Sequence, residues 1–245
     1  MIMSDDKNKP DHPANGTYLV GLAVGAVGIP DHIVARFRAA AEASSPRCSW
    51  RLHIQREAPE GFSRSRARND AILELAGNCS IIVCTDVDCL VPPGLIDFTG
   101  ENVADGRAVW VLCRDVFWPF GDDVSGPYPW EQWQTLPLRI WGTGSWVAMT
   151  TRDWFYVGGW DERLTGWGGE DDVLRVRRQQ AGIQTMEVTS FPLVHVNHPQ
   201  RDPDQRYGRR NYQLGLSLPP HNFLLEKAIK RNRSDLVERF RHIVR

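Results

Sequence analysis

Hydrophobic positions along the chain fall alternately into short β-rich runs and stretches of helical spacing. Thr17 to Val24 (TYLVGLAV) is apolar and β-rich and predicts a first strand. Ile33 to Ala43 has helical spacing, with Asp31 as its N-cap after Pro30. Ser49 to Gln55 alternates as a half-buried strand does, and Arg64 to Leu75 reads as a helix. Ser80 to Thr85 (SIIVCT) is the continuous apolar run of a buried parallel strand, in a unit closed by Pro92, Pro93 and Gly94. Ala108 to Cys113 (AVWVLC) predicts a further strand and Val173 to Ala181 a further helix. This alternation predicts an α/β sheet with right-handed crossovers. Asp115 to Leu138, rich in Pro, Gly, Asp and Trp with little periodicity, predicts a long loop of the kind that carries function. Residues 1–16 predict a disordered tail, and no internal repeat is visible.

Composition narrows the class. With 42% hydrophobic and 24% charged residues the chain is an ordinary soluble globular one, and its net charge of −1 excludes a uniformly basic nucleic-acid binder. No apolar run approaches the roughly 20 residues that span a bilayer. The first residues, MIMSDDKNKPDHPANG, are polar and acidic, unlike a secretory signal. The five cysteines (Cys48, Cys79, Cys84, Cys89, Cys113) are odd in number and without CxxC spacing, which predicts buried free thiols in a reducing compartment, the cytoplasm.

Two distributions are uneven. Nine of the ten tryptophans lie between Trp110 and Trp167, suited either to a flat ligand wall or to a tryptophan-rich core layer. From Arg206 onward ten Lys/Arg face three Asp/Glu, a surplus of +7 that leaves −8 for the first 205 residues. The expected organisation is a tail over 1–16, a domain over 17–205 and a basic, partly helical extension over 206–245. Within the last, Leu236, Val237, Phe240, Ile243 and Val244 share a face, with Arg239, Arg241 and Arg245 among them. Such a helix docks on the domain or a second subunit, the favoured reading, or it makes a peripheral contact with an anionic membrane.

Candidate chemistry begins where Asp86-Val87-Asp88 follows SIIVCT. Ligands of open α/β sheets bind beyond the carboxyl ends of strands, and two carboxylates one residue apart can share a divalent cation and a ribose or phosphate; a solvated turn is the plainer reading. A phosphatase-type DxD motif is set aside, because it belongs on the first strand and wants Thr or Val where Leu90 stands. The second constellation runs from Gly158-Gly159-Trp160-Asp161-Glu162 to Gly166-Trp167-Gly168-Gly169-Glu170-Asp171-Asp172. Three acids opening a helix suit its macrodipole, but GWGG suits close backbone approach and a ring face on which a sugar stacks.

Three blocks resemble the inverting GT-A glycosyltransferases, particularly the β-1,4-galactosyltransferases and the related domains of chondroitin polymerases and polypeptide N-acetylgalactosaminyltransferases. They are Phe62 to Asn69 (FSRSRARN), SIIVCTDVDCLVP, and WGTGSWVAMTTRDWFYVGGWDERLTGWGGEDD, in the family's order across about residues 50 to 200. The resemblance implies a Rossmann-like, mostly parallel central sheet flanked by helices. It implies that Asp88 binds Mn²⁺ directly, with Mg²⁺ as the alternative, while Asp86 faces the ribose. The remaining metal ligands come from His195-Val196-Asn197-His198: His198 stands at the family's histidine and His195 where the galactosyltransferases have methionine. Two histidines are also zinc-like.

By the same resemblance Arg64 and Arg68 approach the donor's diphosphate, Gln55 and Glu57 the uracil, and Gly142, Thr143 and Gly144 the donor sugar. Gly142 replaces a bulky aromatic, which admits an N-acetylhexosamine. Asp171 is the base, Glu170 hydrogen-bonds the acceptor, Asp172 supports the loop, and Trp167 with Gly168 and Gly169 forms the acceptor face. The implied activity is metal-dependent transfer of a hexose, galactose or N-acetylhexosamine, from a UDP-sugar to a hydroxyl of a glycan or glycolipid acceptor, with inversion. A retaining transferase and a non-catalytic sugar-binding module on the same fold are the alternatives.

Overall fold

A computed structural model describes residues 18–44, 47–56, 63–111, 114–115, 139–140, 145–166, 168–191, 193–195 and 208–243. The chain runs β1 (Leu19–Gly25), α1 (Asp31–Ala43), β2 (Ser49–Gln55), α2 (Arg64–Ala76), β3 (Ile81–Asp86), β4 (Cys89–Leu90), α3 (Leu95–Ala104), β5 (Ala108–Val111), β6 (Arg114–Asp115) and β7 (Arg139–Ile140). It continues with β8 (Trp146–Thr150), α4 (Thr151–Val157), α5 (Glu170–Gln180), β9 (Thr185–Val188), β10 (Val194–His195), α6 (Gly208–Ser217), α7 (Phe223–Lys230) and α8 (Ser234–Phe240).

Six strands form the central sheet in the order β2-β1-β3-β8-β5-β9. β1 pairs in parallel with β2 and β3, and β5 with β9; only β8 runs antiparallel, between β3 and β5. The sheet is therefore mixed but mostly parallel, with helices on both faces, as the strand and helix alternation predicts. A small second sheet, β4-β10-β6-β7, stands beside it.

The alternation of β1 divides the core in two. Val20, Leu22 and Val24 face a layer with Val34 and Phe37 of α1 and Leu95 and Ile96 of α3. Ala23, with Ile82 and Cys84 of β3, faces the other layer, built from Ile72 and Leu75 of α2, Trp154 and Phe155 of α4, Trp160, and Leu224, Leu236 and Phe240 from α7 and α8. The apolar face of the last helix is thus docked on the sheet's own helices. Trp110, Trp146, Trp154 and Trp160 are each at most 1% exposed, so the described tryptophans of the dense segment are core residues rather than a ligand wall.

Two helix starts depart from the predicted ones. Asp31 is the first helical residue, not the cap: Pro30 holds that place, and no side chain caps the helix. α5 begins at Glu170 rather than Val173, because Gly169 supplies its turn at φ 86°. No helix among the described residues is long and apolar enough to cross a membrane.

Candidate active site

Parallel strands that start together end together. The register of β2, β1 and β3 sets Gln55, Gly25 and Asp86 in one row at the carboxyl edge of the sheet. The rim beside them is completed by the first turns of α2 and α5. Ser63 caps α2 by accepting from the Arg66 amide, and its backbone bridges to Gly166, which brings the start of α2 against the loop that leads into α5.

Two arginines one turn apart on α2 then meet the acids. Arg64 donates from Nη2 to both oxygens of Asp86, at 2.9 and 2.8 Å, and its Nη1 lies 3.2 Å from Glu170 Oε1. Arg68 donates from Nη2 to Asp86 Oδ1 at 2.7 Å and from Nη1 to Asp171 Oδ1 at 3.0 Å. Its guanidinium, 2% exposed, sits 4.2 Å above the Trp160 ring, whose Nε1 donates to Cys84 Sγ at 3.4 Å.

This crowding sets the charges. Burial pushes the Asp86 carboxyl up, but Arg64 and Arg68 outweigh it and hold Asp86 below the ordinary carboxylate range. Burial pushes the Asp171 carboxyl up to about 7, the negative charge of Glu170 adding to the rise and Arg68 opposing it. Glu170 is buried, and its Oε1 is ion-paired with Arg64 at 3.2 Å without accepting a hydrogen bond from any of the described residues. Asp88 stands next to this network, with a carboxylate oxygen within 4.8 Å of one of Asp86. Two neighbouring carboxylates at a strand end can share a divalent cation.

The second sheet supplies the rest of that corner. β10 pairs antiparallel with β4, setting His195 across from Cys89 and Val194 across from Leu90. The backbone of His195 therefore adjoins the residue after the DVD triplet. His198, Trp167 and Gly144 lie outside the described residues, as do Glu57, Gly142 and Thr143.

Other predicted residues have structural neighbours. Gln55 hydrogen-bonds His53 at 3.3 Å, and its carbonyl accepts from the Ala26 amide. Asp172 is 42% exposed and pairs with Arg175 on its own helix at 3.6 Å. The close approach that Gly168 and Gly169 permit is to α6: a Cβ on Gly169 would stand 2.4 Å from the Gly208 carbonyl oxygen. Asn211 of that helix donates to the carbonyls of Thr165 and Gly168, both at 2.9 Å.

Three residues that the sequence reading gave no role in the site also shape it. Trp160 is the platform under Arg68. Asn69 accepts from the Trp160 amide and donates to its carbonyl, fixing the loop that carries that platform, and Gly159 leaves no room for a Cβ there because Asn69 Oδ1 would lie 2.5 Å away. Cys89 lies with Asp86 and Asp88 in one cluster of ligand atoms. The signals were GGWDE, the Asn that ends FSRSRARN, and the cysteine following DVD.

A family described as the N-terminal domain of galactosyltransferase matches residues 134–200, which include the GWGGEDD segment and both histidines. The catalytic domain of Drosophila β1,4-galactosyltransferase 7, solved with xylobiose, is similar with a TM-score of 0.54 at 14% identity, over 77% of this chain and 78% of that one. A mutant of that enzyme, solved with manganese, UDP-Gal and xylobiose, is similar with a TM-score of 0.52 at 14% identity, over 74% and 72%. GalNAc-T7, solved with UDP, GalNAc and Mn²⁺, is similar with a TM-score of 0.59 at 13% identity, over 83% of this chain and 48% of that one. The chain has the GT-A fold of these glycosyltransferases.

Proposed function

We propose that this protein is a cation-dependent glycosyltransferase that moves a hexose, galactose or an N-acetylhexosamine, from a UDP-sugar to a hydroxyl of a glycan or glycoconjugate with inversion. The observation that carries this reading is Asp171: a carboxylate at the helix start, 21% exposed, pushed up to about 7 and held by a buried arginine beside the DVD turn. A carboxyl in that range accepts a proton near neutral pH far better than an ordinary aspartate.

The residues present fit a divalent cation. Asp88 and Asp86 supply oxygen donors within 4.8 Å of each other, and the backbone of His195 pairs with Cys89, the residue that follows them. When bound, the ion would offset the negative charge on the diphosphate leaving group.

The chain's own residues do the rest. In-line displacement forms a bond from the acceptor oxygen to the anomeric carbon and breaks that carbon's bond to the diphosphate oxygen. The hydroxyl proton passes to Asp171 Oδ. Arg68 fixes that carboxylate at 3.0 Å, Trp160 fixes Arg68, and Glu170, held by Arg64 at 3.2 Å, offers its carboxylate to a hydroxyl of the acceptor. Arg64, 21% exposed, adds positive charge on the solvent side of Asp86, where a diphosphate would lie. Support also comes from the galactosyltransferase match over residues 134–200 and from neighbours solved with UDP-Gal or UDP.

The test is Asp171→Asn, assayed for turnover of UDP-sugars with Mn²⁺ and, on the same preparation, for UDP affinity. Turnover is expected to fall by at least about 10²-fold with UDP affinity unchanged. Near-normal turnover would move the base elsewhere.

A further inference from the structure

Asn211 stands outside the motifs of the site and beyond residues 134–200, the segment that the galactosyltransferase family matches. It is only 3% exposed, and both hydrogens of its amide nitrogen are used: Nδ2 donates to the carbonyls of Thr165 and Gly168, each at 2.9 Å. Those acceptors are three residues apart, so one side chain spans the loop that enters α5. The loop needs a hold from outside. Gly166, Gly168 and Gly169 stand at φ 73°, 100° and 86°, and glycine loses the most conformational freedom on being ordered. On one side the bridge between Ser63 and Gly166 ties the loop to the start of α2, and on the other Asn211 ties it to α6. α6 is seated for this. Gly208 and Gly215, three residues before and four after Asn211, share its helix face. A Cβ on Gly215 would stand 2.4 Å from Val173 Cγ2 of α5, and one on Gly169 as close to the Gly208 carbonyl oxygen. The loop so held delivers Glu170 and Asp171, the first two residues of α5.

We infer that Asn211 is a positioning residue of the active site: by spanning Thr165 and Gly168 it sets the direction in which the loop launches α5, and so the place of the Asp171 carboxylate beside Arg68. The inference rests on reading Asp171 as the base and deepens it. Asn211 acts through the loop and needs no contact with substrate. Removing its amide deprives two carbonyls of their donor and returns to the three glycines the freedom that the clamp takes away. Arg68 would then meet an Asp171 carboxylate spread over several positions, and a misplacement of about 1 Å can cost up to about 10²-fold in rate. The other end of the site is held differently. Asp86 and Asp88 belong to the end of β3, which is fixed by its ladders to β1 and β8 rather than by α6. Loss of the clamp should therefore reach turnover and spare the binding of UDP.

The experiment compares the full chain with Asn211→Ala, Asp171→Asn and the double variant. Release of UDP from UDP-galactose and from UDP-N-acetylhexosamines with Mn²⁺ gives kcat, and UDP affinity and deuterium uptake over residues 163–173 are measured on the same preparations. Asn211→Ala is expected to lower kcat at least about tenfold, to leave UDP affinity within about twofold, and to speed uptake over 163–173 while β3 keeps its protection. If Asn211 acts through Asp171, the double variant is slower than Asp171→Asn by no more than about twofold. A kcat that stays near normal, one that falls only in step with UDP affinity, uptake that does not change, or losses that multiply in the double variant overturn the inference and leave Asp171 as the base. Near-normal kcat in Asp171→Asn overturns the base reading and the inference with it. Asn211→Ser, a milder change that keeps one donor, is carried through the same comparisons, so the outcome does not depend on Asn211→Ala folding.

Discussion

Arg68 reaches two carboxylates and an indole with one guanidinium, and so ties the acid at the strand end to the acid at the helix start. The two acids respond oppositely to pH. The folded Asp171 carboxyl, at about 7 against an ordinary 3.8, binds its proton more tightly than the unfolded chain does. Its contribution to stability is therefore present below the ordinary value and lost as pH rises through about 7. Asp86, held below the ordinary range, contributes above that range and loses its contribution as pH falls. Thermal unfolding of the wild type and Asp171→Asn between about pH 5 and about pH 8 should show the wild type losing stability relative to the variant as pH rises. Parallel curves would mean that Asp171 does not titrate in that window. The spacing of Arg64 and Arg68 made their shared helix face legible in the sequence. That this face turns inward onto Trp160 was not, because a buried arginine is intelligible only once its partners from residues 86, 160 and 171 are in place.

Elements with a period of their own are legible in the sequence. The alternation of SWRLHIQ marks β2 at Ser49–Gln55, and SIIVCT marks β3 to within a residue. β8 is not legible in this way: WVAMT is a short continuous apolar run, and its place between β3 and β5 depends on partners far away in sequence. The start of α5 also depends on a distant partner. Gly169 at φ 86° turns the chain into the helix while α6 lies against it, with Tyr212 N 2.8 Å and Gly208 O 2.4 Å from where a Cβ would be. Gly169→Ala is therefore expected to cost about 1–3 kcal/mol through backbone strain and overpacking, measured by urea unfolding. Because Glu170 and Asp171 are the first two residues of that helix, the same change should lower turnover more than it lowers UDP affinity.

Across the whole molecule, the layer beneath the site is closed by residues from the other end of the chain. Phe240 stacks on Phe155 at 4.2 Å between ring centroids, and Leu236 and Leu224 complete the cover. Lys227 and Arg231 neutralise the buried Asp70 of α2 at 2.6 and 2.8 Å, one residue along from Asn69. Phe240→Ala should cost about 3–5 kcal/mol, read as a lowered denaturant midpoint at unchanged slope. Helical spacing in the tail made this apolar face legible in the sequence; its site of docking was not, since nothing local in α8 names Phe155 as the partner. Synthesis gives that arrangement a direction in time. α2, β3 and α4 leave the ribosome first, and the residues that cover their outer face and discharge Asp70 follow only with the stretch from Phe223 to Phe240. Until the stretch from Phe223 to Phe240 is made, the apolar residues of α2 and α4 lack that cover, the kind of surface that chaperones bind.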